Sequence, residues 1–191
     1  MPEYRRHLVA GGTFFFTVNL LDRRADLLVA PSSSPPPRRP LLVAHVDLLR
    51  DAVRQTRLRA PFEIDAWMVL PDHMHCLWTL PSGDADFPSR WRAIKTAFSK
   101  ALPGVGGPTG VMARRGERGI WQRRYSEHTI RDAHDYAVHM DYTHFSPVKH
   151  GYVSHPADWP YSSPRRCLAA GVYPSGWSGG GAEPDETGER R

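Results

Sequence analysis

A two-residue turn between two apolar runs constrains the fold of this chain more than any other feature of its sequence. The runs Phe62–Leu70 and His73–Leu80 are separated only by Pro71 and Asp72. Both runs are mainly apolar, as buried strands are. A linkage this short leaves no room for a crossover, so the sequence predicts an antiparallel β-hairpin.

The second run begins with two histidines, His73 and His75. Side chains at positions i and i+2 of a strand point to the same face, so the two imidazoles are expected to lie side by side, with Met74 on the opposite face. Two imidazoles at this spacing can bind one divalent metal ion. The alternative is a pair of structural histidines that pack or form hydrogen bonds. The His73–His75 spacing alone does not distinguish a metal-binding pair from a structural pair.

The segments around the hairpin alternate between helical and strand patterns. Strands are expected at Thr13–Leu20 and Ile120–Ile130, and helices at Leu41–Leu58, Ser89–Leu102 and from Asp132 to about Phe145. The order β-α-β-β-α-β-α predicts an α+β, ferredoxin-like (split βαβ) fold: an antiparallel four-stranded sheet with two helices on one face and an additional C-terminal helix. In that fold the His73 strand is central, and the last helix can reach the face that the first two helices leave open.

The last helix carries a tyrosine that could act beside the histidines. Asp132 is a favoured N-cap residue, and the helix is expected to end before Pro147, because the residue before a proline avoids the α region. Tyr142 shares one side of this helix with His139, one turn before it, and Ser146, one turn after it. Helical periodicity does not distinguish a tyrosine nucleophile from a packing aromatic.

Composition narrows the class of protein. The chain has 191 residues, enough for one domain, with a net charge of +5 and arginine far in excess of lysine. Arginine suits phosphate recognition, so a nucleic-acid partner is the first hypothesis. Charge alone does not distinguish a nucleic-acid-binding protein from a basic protein without that function. The two cysteines form no CxxC pair, which argues against a thiolate zinc site. No apolar run is long enough to span a membrane, so a cytoplasmic protein is expected.

The chain is expected to form a single domain over residues 1–177. Low-complexity composition predicts flexible insertions at about 31–40, which is rich in proline and serine, and at 103–118, which is rich in glycine and arginine. Residues 178–191 are rich in glycine and glutamate and are expected to be a disordered tail.

Three motifs in this order carry a family resemblance: the His73-Met74-His75 pair, Trp121–Ile130 and His139–Gly151. With them, most of residues 3–177 resembles the REP-associated tyrosine transposases, which belong to the IS200/IS605-like, Y1-type HUH transposases. The resemblance implies a metal-dependent single-stranded DNA endonuclease and strand transferase, a transposase that acts on hairpin-forming repeat DNA through a covalent 5′-phosphotyrosine intermediate.

The resemblance also implies roles for individual residues. Tyr142 corresponds to the nucleophile, and His73 and His75 correspond to the ligands of a Mg²⁺ or Mn²⁺ ion. Members of the family commonly have glutamine or asparagine one turn after the tyrosine as a third ligand, but this chain has Ser146. Ser146 and His139 are therefore the candidates for a further ligand, with His144 or a water molecule as the alternatives.

The implied partner is single-stranded and hairpin DNA of repetitive palindromic sequence. Arg5, Arg6, Arg123 and Arg124 are the candidate DNA contacts. A monomer or a homodimer, associated with the nucleoid in the cytoplasm, is expected. Two alternatives stay open at this point: a catalytically weak or inactive hairpin-binding protein, suggested by Ser146, and a metal-dependent phosphodiesterase that uses water as its nucleophile.

Overall fold

The computed structural model describes residues 7–21, 41–102 and 119–179, together with residues 184 and 187. The insertions expected at 31–40 and 103–118 lie outside the described residues, as do Arg5, Arg6 and nearly all of the tail expected at 178–191. The extent of the single domain stays a prediction.

Four antiparallel strands form one sheet. They are β1 (Thr13–Asn19), β2 (Glu63–Val69), β3 (His73–Thr79) and β4 (Ser126–Thr129), in the spatial order β2-β3-β1-β4. The described helices are α1 (Leu41–Ala44), α2 (Val46–Arg59), α3 (Phe87–Ala101), α4 (Ala133–Lys149) and α5 (Pro164–Ala169), with a 3₁₀ turn at Pro156–Asp158. The order of elements and strands confirms the α+β, ferredoxin-like fold, and β3 is a central strand as expected.

One face of the sheet carries the main hydrophobic core. Alternate residues of β1 and β3, such as Phe16 and Trp78, point to this face and pack against α2 and α3. Trp91 of α3 stacks on Trp78 with ring centroids 4.2 Å apart and is almost fully buried. Trp91 is therefore a core residue rather than a surface platform for DNA bases.

The opposite face carries a smaller cluster, which α4 completes. Phe15 of β1 and Leu77 of β3 point to this face, and Met140 and Tyr142 of α4 pack against them. His73 and His75 share the face with Leu77 because all three lie at alternate positions of β3. The fold therefore brings the tyrosine-bearing helix onto the histidine pair, as the sequence predicts.

Proline does not end the last helix. The expected end lies ahead of Pro147, but α4 continues to Lys149 with Pro147 inside its final turn and buried. The helix continues because the missing N–H of a proline removes one bond, while later amides still bond: His150 N donates to Ser146 O, and Tyr152 N donates to Pro147 O. Two further residues of helix therefore lie beyond Pro147, close to the histidine pair.

Two other element boundaries also differ from expectation. The helix expected at Leu41–Leu58 is interrupted at His45, whose backbone (φ −119°, ψ 29°) departs from helical values, and gives α1 and α2. The strand expected at Ile120–Ile130 pairs with β1 only over Ser126–Thr129. Its first half follows β1 only through isolated backbone bonds, as from Gln122 N to Asn19 O.

The outer edge of β2 is covered by the chain that follows α4. Ser163 N donates to Trp67 O, Trp67 N donates to Ser163 Oγ, and Val69 N donates to Tyr161 O. The other covered acceptors are Val69 O, which accepts from Trp159 Nε1, and the carbonyls of Ile64 and Asp65, which accept from the Arg166 guanidinium. The edge strand therefore has hydrogen-bond partners along most of its length. None of the helices in the described ranges is long and apolar enough to cross a membrane.

Removing the N-cap of α4 should destabilise the chain. The Asp132 carboxylate accepts a hydrogen bond of 2.8 Å from Asp135 N, which confirms the expected cap. We expect Asp132→Ala to lower the free energy of unfolding by about 1 kcal/mol, because an amide of the first turn loses its acceptor. Urea titration measures this value. Asp132→Asn keeps an acceptor and is the control; equal stability of the alanine variant and the original chain would contradict the role of the cap.

Candidate active site

His73 and His75 lie side by side on the central strand β3. Their ring centroids are 5.0 Å apart, and both side chains are almost fully buried. Pairing with β1 places Asn19 opposite His73 and Thr17 opposite His75. The pair is therefore fixed by the backbone of the two central strands, and its spacing does not depend on a loop.

Each imidazole is oriented through its Nδ1 atom. His73 Nδ1 lies 2.7 Å from Asp72 Oδ1, and His75 Nδ1 lies 2.8 Å from Thr17 Oγ1. The Thr17 hydroxyl donates to the carbonyl of Thr187, so it accepts from His75 Nδ1–H. Asp72 likewise only accepts as a carboxylate. Both rings therefore carry their proton on Nδ1, which leaves Nε2 as the atom that could bind a metal, the arrangement that commonly orients histidine ligands.

Tyr142 of α4 lies against the same pair within one chain. Its ring centroid is 5.3 Å from that of His75, and only 4% of the residue is exposed. The ammonium group of Lys149 lies 4.8 Å from the centre of the Tyr142 ring. A cation at this distance attracts the ring and stabilises negative charge on or near the phenol oxygen.

The two candidates for a further ligand lie in different places. Ser146 lies one turn after Tyr142 and is fully buried, and its Oγ has no hydrogen-bond partner among the described residues. His139 lies beyond Phe15: the His139 ring is 4.8 Å from Phe15, and the Phe15 ring is 5.4 Å from His75. The structure thus places Ser146 on the tyrosine side of α4, while Phe15 separates His139 from the histidine pair.

His139 belongs to a second polar cluster at the start of α4, with His128 and Asp135. One imidazole nitrogen from each histidine and one carboxylate oxygen of Asp135, the atoms that could bind a metal, lie within 4.8 Å of one another. The Asp135 carboxylate accepts from His128 Nε2 at 2.8 Å and from Arg131 Nε at 3.0 Å.

Burial opposes ionisation of Asp135, but the hydrogen bonds from Arg131 and His128 outweigh it and hold the pKa of this carboxyl well below its ordinary value. His139 Nδ1 donates to Asp135 O at 2.8 Å, and burial lowers the His139 pKa. Because Arg131 already neutralises Asp135, this cluster is explained as an ion-pair network.

A third polar group anchors α4 to the segment that covers β2. His144 is fully buried, with Nδ1 2.8 Å from the Tyr173 hydroxyl and Nε2 2.8 Å from Ser163 Oγ. Burial and, to a lesser extent, the nearby Arg166 charge lower the pKa of His144 to about 3, so the ring is neutral at physiological pH. These bonds fix the rotation of α4 and therefore the direction in which Tyr142 points.

The candidate DNA contacts are only partly described. Arg123 and Arg124 are exposed in the segment that precedes β4. Beside them, Trp121 packs on Phe98 with ring centroids 5.3 Å apart, and Lys95 donates to Gln122 O at 2.6 Å. Arg5 and Arg6 lie outside the described residues. The two described arginines are therefore available to a partner on the β4 side of the sheet.

Four residues of this site were not found by sequence reasoning: Asp72, Thr17, Lys149 and His150. Asp72 directly precedes the histidine pair. Lys149 and His150 lie four and five residues beyond the expected helix end at about Phe145, and the His150 ring centroid is 5.2 Å from that of His73. Extending the helix past Pro147 would have placed His150 eight residues after Tyr142, two turns along the same side. No sequence signal identifies Thr17, because the register between β1 and β3 decides its partner.

The donors on this face fit a divalent cation. Two imidazoles present Nε2 from neighbouring positions, their Nδ1 atoms are held by an acidic and a hydroxyl oxygen, and the buried Ser146 Oγ lacks a partner among the described residues. Neutral imidazole and hydroxyl oxygen, completed by water or phosphate oxygen, form a donor set that divalent ions accept.

The whole chain is similar to known transposases. No protein-family model matches it. It is 45% identical over 179 residues to the REP-associated tyrosine transposase of Escherichia coli (strain K12), a match that covers 94% of this chain and 92% of that protein. A solved structure of a REP-associated tyrosine transposase bound to a REP hairpin has a TM-score of 0.76 and 43% identity, and the match covers 100% of this chain and 98% of that one.

The buried neutral His144 should make the chain sensitive to acid. Its folded pKa of about 3 lies below the ordinary 6.5, so the unfolded chain takes up this proton first as pH falls. The stability that neutral His144 provides is complete above about pH 6.5 and declines towards pH 3, by up to about 1.4 kcal/mol per pH unit. Urea unfolding across this range measures the slope.

His144→Gln should remove this part of the slope, because glutamine does not titrate. His155→Gln, which replaces an exposed histidine, should leave it unchanged and is the matched control. An unchanged slope in His144→Gln would show that other groups cause the acid sensitivity.

Proposed function

Since the chain belongs to the family of REP-associated tyrosine transposases, we propose that it cleaves and rejoins single-stranded DNA next to a hairpin, with Tyr142 as the nucleophile and His73 and His75 as ligands of Mg²⁺ or Mn²⁺. The observation that carries this proposal is the 5.3 Å separation of the Tyr142 and His75 rings within one chain. A tyrosine that merely completed a hydrophobic cluster would not need two oriented imidazoles and a lysine around it.

The proposed reaction is a transesterification. The Tyr142 oxygen attacks the scissile phosphorus, a phosphorus–oxygen bond to the tyrosine forms, and the bond from phosphorus to the 3′ oxygen breaks. The phenol proton is transferred, in net terms, to the departing 3′ oxygen, which becomes a 3′-hydroxyl. The 5′ end stays attached to Tyr142. A DNA 3′-hydroxyl can then reverse the reaction with the same or another strand, because the phenolate is a better leaving group than an alkoxide.

The surrounding side chains position the reacting groups. When bound, a divalent cation supplies charge that polarises the scissile phosphate. Asp72 and Thr17 hold the two imidazoles in the tautomer that ligates through Nε2, and Lys149 offers positive charge beside the phenol ring. Buried His144 keeps Tyr142 facing β3 by fixing the rotation of α4.

The proposed substrate follows from the relative whose structure contains a REP hairpin. Exposed Arg123 and Arg124 would contact phosphates on the β4 side, and Arg5 and Arg6 are proposed as further phosphate contacts. Because Tyr142 and the histidine pair meet within one chain, a monomer contains all the groups proposed for cleavage, and a homodimer is not required. Action on chromosomal DNA is the basis for proposing a cytoplasmic, nucleoid-associated protein.

A second candidate function is hairpin binding with little or no cleavage. Ser146 favours it, because a short hydroxyl stands where relatives commonly have an amide ligand, and its Oγ has no partner among the described residues. Water as the nucleophile on the same histidine pair is the remaining alternative. The three possibilities differ in whether a covalent adduct forms and whether it needs Tyr142.

Tyr142→Phe should abolish the covalent intermediate. With a labelled hairpin oligonucleotide that has a single-stranded flank, the original chain and Mg²⁺ or Mn²⁺ should give a protein–DNA adduct on a denaturing gel. Tyr142→Phe should give no adduct, because it lacks the attacking oxygen, and should still bind the hairpin. Tyr136→Phe, six residues earlier on the same helix, is the matched control. Cleavage that persists in Tyr142→Phe would favour water as the nucleophile, and tight binding by the original chain without cleavage would favour the binding protein.

Two substitutions of Ser146, to asparagine and to alanine, should change the affinity for the cation in opposite directions. We expect Ser146→Asn to raise Mg²⁺ affinity and the yield of adduct, because the longer amide oxygen reaches further than a serine hydroxyl. Ser146→Ala should lower both, because it removes the oxygen without adding bulk. Calorimetric titration with Mg²⁺ measures affinity independently of cleavage. Identical affinities for alanine, serine and asparagine would show that position 146 takes no part in binding the ion.

A further inference from the structure

Tyr152 is an exposed aromatic residue near the candidate active site. Its exposed fraction is 46%, and in the described part of the chain it is the only phenylalanine, tyrosine or tryptophan that is exposed rather than partly or fully buried. The Tyr152 ring centroid lies 6.4 Å from that of His150, and the His150 ring contacts His73 with centroids 5.2 Å apart. Tyr152 is therefore two ring-to-ring steps away from the histidine pair.

The end of α4 fixes the backbone of Tyr152. Gly151 has a φ of 72°, which a glycine adopts without strain, and the chain reverses there directly after the helix. Gly151 N donates to Val148 O at 2.9 Å. Tyr152 N donates to Pro147 O at 2.9 Å, and the two bonds together form a Schellman motif. Tyr142 and Tyr152 are thus held by one rigid element.

The Tyr152 ring is supported by Trp159. The two ring centroids are 5.2 Å apart, and the ring planes are inclined by 34°. Trp159 is itself held in place, because its Nε1–H donates to Val69 O at 2.8 Å and its ring makes a T-shaped contact with Tyr161 at 5.3 Å. The space beside this support is open: a Cβ placed on Gly151 would meet no atom beyond its chain neighbours within 4 Å. A flat ligand can therefore stack on Tyr152 while the ring stays fixed.

A cation lies between the two tyrosines along α4. Lys149 is exposed, and its ammonium group is 4.8 Å from the centre of the Tyr142 ring. At 1.5 Å per residue, Tyr152 lies at most about 15 Å beyond Tyr142 along the helix axis, a length that a few nucleotides of single strand can cover. Proteins bind single strands with cations that contact phosphates and with aromatic rings on which bases stack. The proposed nucleophile, a cation and an exposed ring follow one another here in that order.

The course of α4 across the sheet suits a strand that leaves a hairpin on the β4 side. Near the start of α4, Asp135 accepts a hydrogen bond of 2.8 Å from His128 of β4. Directly after its end, His150 contacts His73 at the start of β3. A single strand that begins beside β4 and follows α4 therefore passes the proposed nucleophile before it reaches the exposed ring.

We propose that Tyr152 is a stacking platform for one unpaired base in the single-stranded flank of the hairpin DNA, and that Lys149 contacts a phosphate between this base and the scissile bond. The inference rests on the proposed function and names the residue that holds the flank. A stacked base fixes the strand without reading its sequence, because every base has an aromatic face. The scissile phosphate is thereby held beside Tyr142, and the flank adds affinity that the hairpin stem alone does not provide.

The test compares two oligonucleotides with the same REP hairpin stem, one with a single-stranded flank on each side and one without flanks. All chains carry Tyr142→Phe and the buffer contains EDTA, so neither cleavage nor a bound cation affects the measured affinity. We expect Tyr152→Ala to weaken binding of the flanked hairpin at least about fivefold, because base–aromatic stacking is lost, and to leave binding of the hairpin without flanks unchanged. Fluorescence anisotropy measures both affinities.

Two further substitutions of Tyr152 distinguish stacking from packing. Tyr152→Phe keeps the ring and should bind the flanked hairpin as its parent does. Tyr152→Leu keeps apolar bulk without a flat ring and should bind the flanked hairpin as weakly as the alanine variant. Leu58→Ala is the matched control, since it removes an exposed apolar side chain from α2, on the opposite face of the sheet.

Photochemical cross-linking gives a second readout. With 5-iodouracil placed at each flank position in turn, one position should cross-link to Tyr152, which mass spectrometry of the digested chain identifies. A flank that adds no affinity, an affinity for the flanked hairpin that is the same in Tyr152→Ala as in its parent, or cross-links that all lie on other residues would overturn the platform and leave the proposed function standing. A parent chain that binds neither hairpin would overturn the proposed function itself.

Discussion

The antiparallel pairing of β1 with β3 is the interaction on which the rest of the structure depends. Their register sets Phe16 opposite Cys76 and Thr17 opposite His75, so neighbouring positions of the same two strands build opposite faces of the sheet. One face is buried under α2 and α3 and stabilises the fold. The other receives α4 and forms the candidate active site. A slip of one residue would exchange the two faces, so the burial of Phe14, Phe16 and Trp78 holds the imidazoles in place.

The second requirement is that α4 be held at a fixed angle on the histidine face. His144 does this through Tyr173 and Ser163, and Ser163 in turn bonds to the backbone of β2. The chain beyond α4 thus acts as a brace between the helix and the sheet. Because the brace is made of hydrogen bonds between neutral groups around the buried His144 ring, it is weakened more by a proton on His144 than by salt.

Local sequence rules predicted a large part of this arrangement. The two-residue turn at Pro71-Asp72 and the i, i+2 spacing of His73 and His75 placed the pair on one face of a hairpin strand, and the order of the elements made that strand central. Asp132 marked the start of α4. The predicted end of α4 was wrong. The backbone preference of the residue before a proline was outweighed by the packing of buried Pro147 and by the hydrogen bonds of the last turn. Because the helix was predicted to end too early, Lys149 and His150 were not predicted to lie beside the histidine pair. Thr17 could not be found, since its contact with His75 depends on strand register, and the anchoring of His144 depends on residues 19 and 29 positions away.

The covered edge of β2 has a consequence for the behaviour of the chain at high concentration. An exposed strand edge offers a row of unpaired amides and carbonyls on which another molecule can add a strand. Here Tyr161, Ser163 and Arg166 already bond to that row, and the opposite edge, β4, is only four residues long. Neither edge therefore presents a long template for intermolecular sheet growth. DNA is proposed to bind beside β4. Because that edge is short, the chain resists edge-to-edge aggregation even when no DNA covers it.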